Sequence, residues 1–418
     1  MALLADLTPL RVSAPYRRLW ASLGISNIGQ QMTSVAVGFQ VWDLTHSSFM
    51  VGLVGLFQLV PLIGFGLYGG TLSDAFDRRI VGIVTAIGMW VCSALFLVQS
   101  LLGIDSVGVL YLIIAMASMF FAVGNPARQA IIPRIVPREL LPSANALSML
   151  TWNFGFTIGP LLGGALVAIT GTVTSAYVID VVAYLFLIWA MWMLPSLPPI
   201  VIEGDARPRA GWSAVREGFA FLKGKKNLQM TFYEDIIAMV FGMPRALFPA
   251  IAAQWYGGSL REVATVLGIL SAGPAVGALL SGVLSGWLHS IRFQGRAIVL
   301  AIVVWGTAIA AFGMVRWLPL AFVLLAIAGA ADNVSAVFRS TILQTATPDE
   351  YRGRLQGVFT VVVAGGPRLG DVEAGTVAAL AGETVSVISG GVACVALALG
   401  LARAVPSFMK YDAHHPVA

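Results

Sequence analysis

The sequence predicts an all-α integral membrane protein: twelve transmembrane helices in two six-helix, pseudo-symmetric bundles. Three observations lead there. Of 418 residues, 58% are hydrophobic and 11% charged, whereas a soluble domain is about a quarter charged. Apolar runs long enough to cross a hydrocarbon core of roughly 30 Å recur along the whole chain. And the first half returns in the second: a shift of 211 residues carries Arg128 onto Arg339, Pro137 onto Pro348 and Glu139 onto Glu350. The same composition narrows function. The basic residues behind the formal charge of +5 sit in short loops between apolar runs, so no nucleic-acid partner is expected. Cys92 and Cys394 lie inside apolar runs and suggest neither a disulfide framework nor a metal site. No cofactor is expected, because the stretch 218–226 has neither the spacing nor the Ser/Thr of a phosphate loop. No nucleophile–base pair suggests an enzyme.

In order, the spans fall at 19–43, 50–73, 80–102, 108–127, 145–169, 174–194, 229–252, 263–288, 296–315, 318–338, 356–380 and 385–404. Arg11, Arg17 and Arg18 precede the first without the apolar region and cleavage site of a signal peptide, so that helix is expected to direct insertion itself. Within it Asn27, Gln30, Gln31 and Ser34 recur at spacings of three and four. The polar face they form suits a substrate-cavity wall or hydrogen bonds to a neighbouring helix. Lys and Arg placement sets the orientation. With a cytoplasmic N-terminus, 21 of the 25 basic residues fall in or beside cytoplasmic segments; Arg261 and Arg316 fall outside, and Arg245 and Arg368 lie within spans. Both termini are then cytoplasmic, in a multi-pass protein of the inner or plasma membrane. The longest polar stretch carries Pro195, Pro198, Pro199, Pro208 and the basic run Lys223, Lys225, Lys226. It reads as a linker with a short amphipathic helix near 212–222. The expected domains are 1–194 and 229–418, joined by a cytoplasmic linker at 195–228. Ladders at Gly155, Gly159 and Gly163, at Gly273 and Gly277, at Gly66 and Gly70, and at Gly366 and Gly370 let helix backbones approach closely.

The loop between spans two and three reads Gly70-Thr71-Leu72-Ser73-Asp74-Ala75-Phe76-Asp77-Arg78-Arg79. It resembles the G-x-x-x-D-R-x-G-R-R signature of the major facilitator superfamily. Gly70, Asp74, Arg78 and Arg79 match; Ala75 replaces the first basic residue and Asp77 the second glycine. Gly70 permits close approach and Asp74 can pair with basic groups at a helix end, which makes these four a gating loop. The stretches 125–137, 238–249 and 365–375, the last reading Gly365-Gly366-Pro367-Arg368-Leu369-Gly370-Asp371-Val372-Glu373-Ala374-Gly375, are similar to the branch that contains enterobactin exporters. Macrolide and drug efflux members are further off. The resemblance covers essentially the whole chain, and it implies that spans five and eight, and spans two and eleven, pack across the halves through their small-residue ladders. It implies a monomer that exports a small organic molecule, such as a siderophore, by proton antiport with alternating access. Its partners would be that substrate, protons and the lipid bilayer. Broad drug efflux, or a non-transporting sensor of the same fold, stays open.

Arg368, Asp371 and Glu373 interrupt span eleven. A charge at a helix centre costs roughly 2.5–3.5 kcal/mol on insertion scales, so these side chains face protein, a water-filled cavity or one another. Arg245 lies about sixteen residues into span seven and Asp371 about fifteen into span eleven, which at 1.5 Å per residue is a similar depth. Transporters of this type bind near the midplane, and the resemblance makes spans seven and eleven neighbours. Arg245 and Arg368 are therefore expected to pair with Asp371 and Glu373, as a proton-coupling cluster or as a brace. Asp235 and Asp332 are further candidates for the coupling route or for pairing, with Arg339 a partner for Asp332. Glu234 reads as a solvated helix end, and Asp43 and Asp180 as gate or capping residues. Trp152 and Phe154 suit stacking on an aromatic cargo or plain core packing.

Overall fold

The structure is a computed structural model. It describes residues 6–198, 212–285 and 291–412, without the side chains of 67–75, 142, 212–215, 218, 349–354, 356, 357, 360 and 361. Twelve long helices follow one another: α1 Ala14–Thr45, α2 Ser48–Ala75, α3 Arg78–Leu101, α4 Val107–Ile135, α5 Leu141–Thr170, α6 Thr174–Trp192, α7 Lys226–Tyr256, α8 Leu260–Val283, α9 Gln294–Met314, α10 Leu318–Thr345, α11 Asp349–Ala381 and α12 Glu383–Ala404. Among the described residues, all but α1 and α11 are apolar enough to cross a membrane on composition alone. Those two are the longest, at 32 and 33 residues, and each is diluted by polar residues: the stripe of α1 and the charges of α11. The short linker helix forms at Trp212–Leu222; the rest of the expected linker between 199 and 211 lies outside the described residues, as do His289, His414 and His415.

Contacts divide the chain into two units. One is Met1–Leu44 with Val60–Gly211; the other is Thr45–Leu59 with Trp212–Ala418, so the first part of α2 packs with the second unit. In the first unit α1, α3, α4 and α6 meet in a core of Leu19, Met89, Ile131, Leu187 and Met191. In lipid such association depends on close packing rather than on a hydrophobic drive, so small residues decide where helices touch. The α5 ladder faces α1: Gly155 meets Asn27, Gly159 meets Gln31 and Gly163 meets Met32. In the second unit Gly273 and Gly277 of α8 meet Leu325 and the Ala326 backbone of α10. The ladders of spans five and eight thus make these close contacts inside their own units. On α2 the close approach belongs to Gly52 and Gly55, which meet the backbone of Asp371 and Arg368, while Gly66 has nothing within 4 Å. Gly366 and Gly370 meet Met239 of α7.

Span seven departs from the continuous helix expected. It is α-helical over Lys226–Phe241, then 3₁₀ over Pro244–Leu247, α over Phe248–Ile251 and π over Ala252–Tyr256. Pro244 explains the interruption: it lacks an N–H and pushes the preceding residue out of the helical region, and Met243 has φ −118° and ψ 88°. Irregular backbone at membrane depth survives where protein or a water-filled cavity covers it, and Pro244, Ala246, Leu247, Phe248 and Pro249 are all buried.

Candidate functional site

The break in α7 is where Arg245 emerges. Its fork meets Asp371 of α11: Nε donates to Oδ1 at 2.8 Å and Nη2 to Oδ2 at 2.6 Å. This two-point, charge-assisted geometry is the strongest ordinary hydrogen bonding a protein offers. The partners differ in environment: 9% of the Asp371 side chain is exposed, against 40% of Arg245. The carboxylate is thus an interior group that depends on its arginine, while the arginine keeps an open side.

The rest of the expected quartet does not assemble. Arg368 donates through Nη1 to the carbonyl of Ala364 on its own helix, and its buried Nε has no hydrogen-bond partner. It forms no ion pair with Asp371 despite the three-residue spacing. Glu373, half-buried, has no ion pair among the described residues. The reason is steric: Arg245 already occupies both oxygens of Asp371, and the backbones of Gly52 and Gly55 close over the same turn.

A second cluster lies nearer the start of α7. Arg339 of α10 is bonded through Nη1 to Oδ1 of Asp235, and its Nη2 stands 3.6 Å from Oδ1 of Asp332. Asp332 and Arg339 are two helical turns apart and share a face. Arg339 and Asp235 are 2% and 1% exposed, whereas the Asp332 side chain is 37% exposed. Arg339 thus partners Asp332, as expected, and holds Asp235 more closely still. Glu234 overturns its reading as a solvated end: it is 0% exposed, and neither carboxylate oxygen has a hydrogen-bond partner. The helix begins early, at Lys226, which draws Leu228, Thr231, Glu234 and Asp235 together onto its buried side. That periodicity, visible as Leu228, Thr231 and Asp235 at helical spacing, was the available signal.

In the first unit the polar stripe of α1 divides. Asn27 is 6% exposed and donates through Nδ2 to the carbonyl of Trp152 at 3.1 Å. It is an interhelical tie, not a cavity wall. Gln31 packs on Gly159, Gln30 is partly exposed and Ser34 exposed. Trp152 and Phe154 are 43% and 51% exposed, so neither is core; Trp152 sits 5.3 Å from Phe156 and 6.4 Å from Phe121, ring centre to ring centre. Asp180 lies inside α6 rather than at its end, 2% exposed, and its Oδ2 accepts from the Ser93 hydroxyl at 2.6 Å. It caps nothing.

Of the loop residues, the side chains of Gly70 and Asp74 lie outside those described. Arg78 donates to the carbonyl of Ala130 at 3.1 Å and Arg79 to that of Trp192 at 2.6 Å. Asp77, where the superfamily signature has glycine, caps α3: it accepts from the N–H of Arg79 at 2.8 Å, the N–H of Leu197 at 3.1 Å and the Ser196 hydroxyl at 2.7 Å. Partial burial pushes its carboxyl up, but these hydrogen bonds outweigh it and hold the group below the usual aspartate range.

Residues 4–416 match the family model described as "Transmembrane secretion effector". The chain is 29% identical to the enterobactin exporter EntS of Citrobacter koseri, over 99% of this chain and 97% of that protein. It is 31% identical to the enterobactin exporter EntS of Shigella boydii serotype 18, over 93% of this chain and 91% of that protein. Among solved structures, the nucleoside transporter NupG superposes with a TM-score of 0.72 at 12% identity, covering 95% of this chain and 100% of that one. The D-xylose-proton symporter does so at 0.69 and 13%, covering 92% and 96%. At these identities the structures speak for the fold.

Proposed function

The chain belongs to the transmembrane secretion effector family, and on that premise we propose that it exports a small catecholate siderophore across the inner membrane by proton antiport. The near full-length likeness to enterobactin exporters supports the cargo class. The observation that carries the coupling is the two-point pair between Arg245 and the interior carboxylate of Asp371. A carboxylate beside a guanidinium keeps its charge; one left alone in apolar surroundings binds a proton. In the cargo-carrying state the pair is closed. After release outside, alternating access draws Arg245 away, Asp371 takes a proton, and the empty carrier returns. Closing the pair inside expels the proton. Arg368 adds positive potential beside Asp371, and Asp235, Asp332 and Glu373 serve the proton's route. Gln30, Ser34, Trp152 and Phe154 line the cargo path, and the loop from Gly70 to Arg79 gates it. Both termini are cytoplasmic, the halves divide at 195–228, and the working unit is a monomer without enzymatic activity.

The test uses inverted membrane vesicles with an imposed proton gradient. A catecholate siderophore should dissipate the gradient in wild type and leave it intact in Asp371→Asn. A gradient indifferent to siderophores but dissipated by varied drugs replaces this reading with broad efflux. Indifference to both points to a non-transporting sensor.

A further inference from the structure

Charge accounting around Arg339 does not close with ionised acids. One guanidinium faces Asp235 and Asp332 on its two Nη atoms, and it also acts electrostatically on Glu234. Consecutive residues on a helix point about 100° apart, so Glu234 and Asp235 leave α7 in different directions. From α10 the group acting on Glu234 is Arg339, with Asp332 acting on the neighbouring Asp235; from α12 it is the thiol of Cys394. On α11 the nearest described charges, Arg368 and Asp371, lie beside Gly370, whose neighbour is Met239, more than a turn further along α7. Arg296 of α9 is exposed and donates to the Met409 carbonyl. Among the described residues Arg339 is the one cation acting on Glu234. Two orphans therefore sit in one cluster: both oxygens of Glu234, and the buried Nε of Arg339. An ionised carboxylate with no hydrogen bond does not persist in an apolar interior; it neutralises. A neutral acid with a guanidinium N–H unclaimed nearby is one half of an exchange.

We propose that Glu234 is a proton-binding site that holds its proton while Arg339 is committed to Asp235 and Asp332, and gives it up when Arg339 turns its free N–H to the Glu234 carboxylate. The proton passes to water, Arg339 stays charged throughout, and the cluster's net charge falls by one. Asp332, the exposed member, is its outlet. This deepens the antiport reading by adding a second proton site to Asp371, and its first test needs no cargo.

The experiment is infrared difference spectroscopy on the full chain reconstituted in lipid vesicles, in water and in deuterium oxide. Wild type minus Glu234→Gln should show one protonated-carboxyl carbonyl band that shifts in deuterium oxide. Glu234→Asp should keep a band at altered frequency, showing that the site tolerates substitution. The decisive arm is Asp235→Asn, which frees Arg339: the Glu234 band should be lost at neutral pH although Glu234 is untouched. A merely buried, static acid would keep it. Absence of the band in wild type, or its persistence in Asp235→Asn, overturns the proposal. Wild-type vesicles that fail to move any siderophore would refute the export reading while leaving the infrared result standing.

Discussion

Arg128 and Arg339 occupy equivalent places in the repeat, each near the end of the fourth helix of its half, and both are buried, at 9% and 2% exposure. Their company differs. Arg339 bonds Asp235 and faces Asp332. Arg128 has no ion pair among the described residues; its guanidinium lies near Gly124 and Tyr184. The first unit keeps its own interior acid, Asp180, apart from any arginine, on the hydroxyl of Ser93. Among the described residues, the second copy thus pairs its buried arginine with acids, whereas Arg128 and Asp180 of the first are not paired with each other. The repeat places an arginine at both positions, and among the described residues only Arg339 is ion-paired to acids.

The comparison breaks most easily at the two arginines. Arg339→Met strands buried Asp235 and should cost about 3–5 kcal/mol, the usual penalty for orphaning one partner of a buried pair. Arg128→Met removes a buried cation with no acid to strand, and should change stability by less than about 1 kcal/mol. Thermal unfolding of the two variants in detergent decides; equal losses would end the distinction. Within the second unit, Arg245→Gln should cost about 3 kcal/mol and Asp371→Asn about half as much, because the stranded carboxylate is interior while the stranded arginine is 40% exposed. Denaturation midpoints of both variants check the order.

Smaller effects test packing. An added methyl at Gly277 meets the backbone of Ala326, which cannot move alone, whereas at Gly82 it meets the sulfur of Met191, part of a flexible side chain that can shift. Gly277→Ala should lose about 2 kcal/mol and Gly82→Ala under about 1 kcal/mol, read as a shift in unfolding midpoint. A comparably small effect belongs to the first unit's surface. Asp77→Ala removes an N-cap worth about 1 kcal/mol. Since its folded carboxyl titrates below the unfolded one, its contribution is complete above the unfolded value and fades as pH falls through the folded value. Asp77→Asn should keep most of the cap and abolish that acid dependence, measured as stability against pH.

Much of this was legible in the chain. Three charges in an apolar run could not face lipid, and equal depth, together with the resemblance that makes spans seven and eleven neighbours, brought Arg245 to Asp371. The repeat located Arg339 before any contact was known. What escaped detection depended on neighbours or on helix phase. Arg368 turned to its own Ala364 carbonyl because Arg245 had filled Asp371, and spacing along one helix cannot reveal that competition. Glu234 looked peripheral because it lies near the start of span seven as read from the sequence, yet the helix begins at Lys226 and holds Glu234 on a buried side. Asn27 fitted a cavity and a helix contact equally, and only the Trp152 carbonyl opposite it chose. The interruption at 242–247 had its signal in Pro244, outweighed by the apolar run around it.

That interruption makes α7 a lever with its fulcrum at Arg245. The arm Lys226–Phe241, 16 residues long, measures about 24 Å at 1.5 Å per residue. A bend of about 10° absorbed at the break sweeps its far end through about 4 Å, and Glu234, about 12 Å along the arm, through about 2 Å. Arg245, at the pivot, hardly moves. A single flexure at the break thus displaces Glu234 and Asp235 relative to Arg339 while the Arg245–Asp371 clasp stays shut.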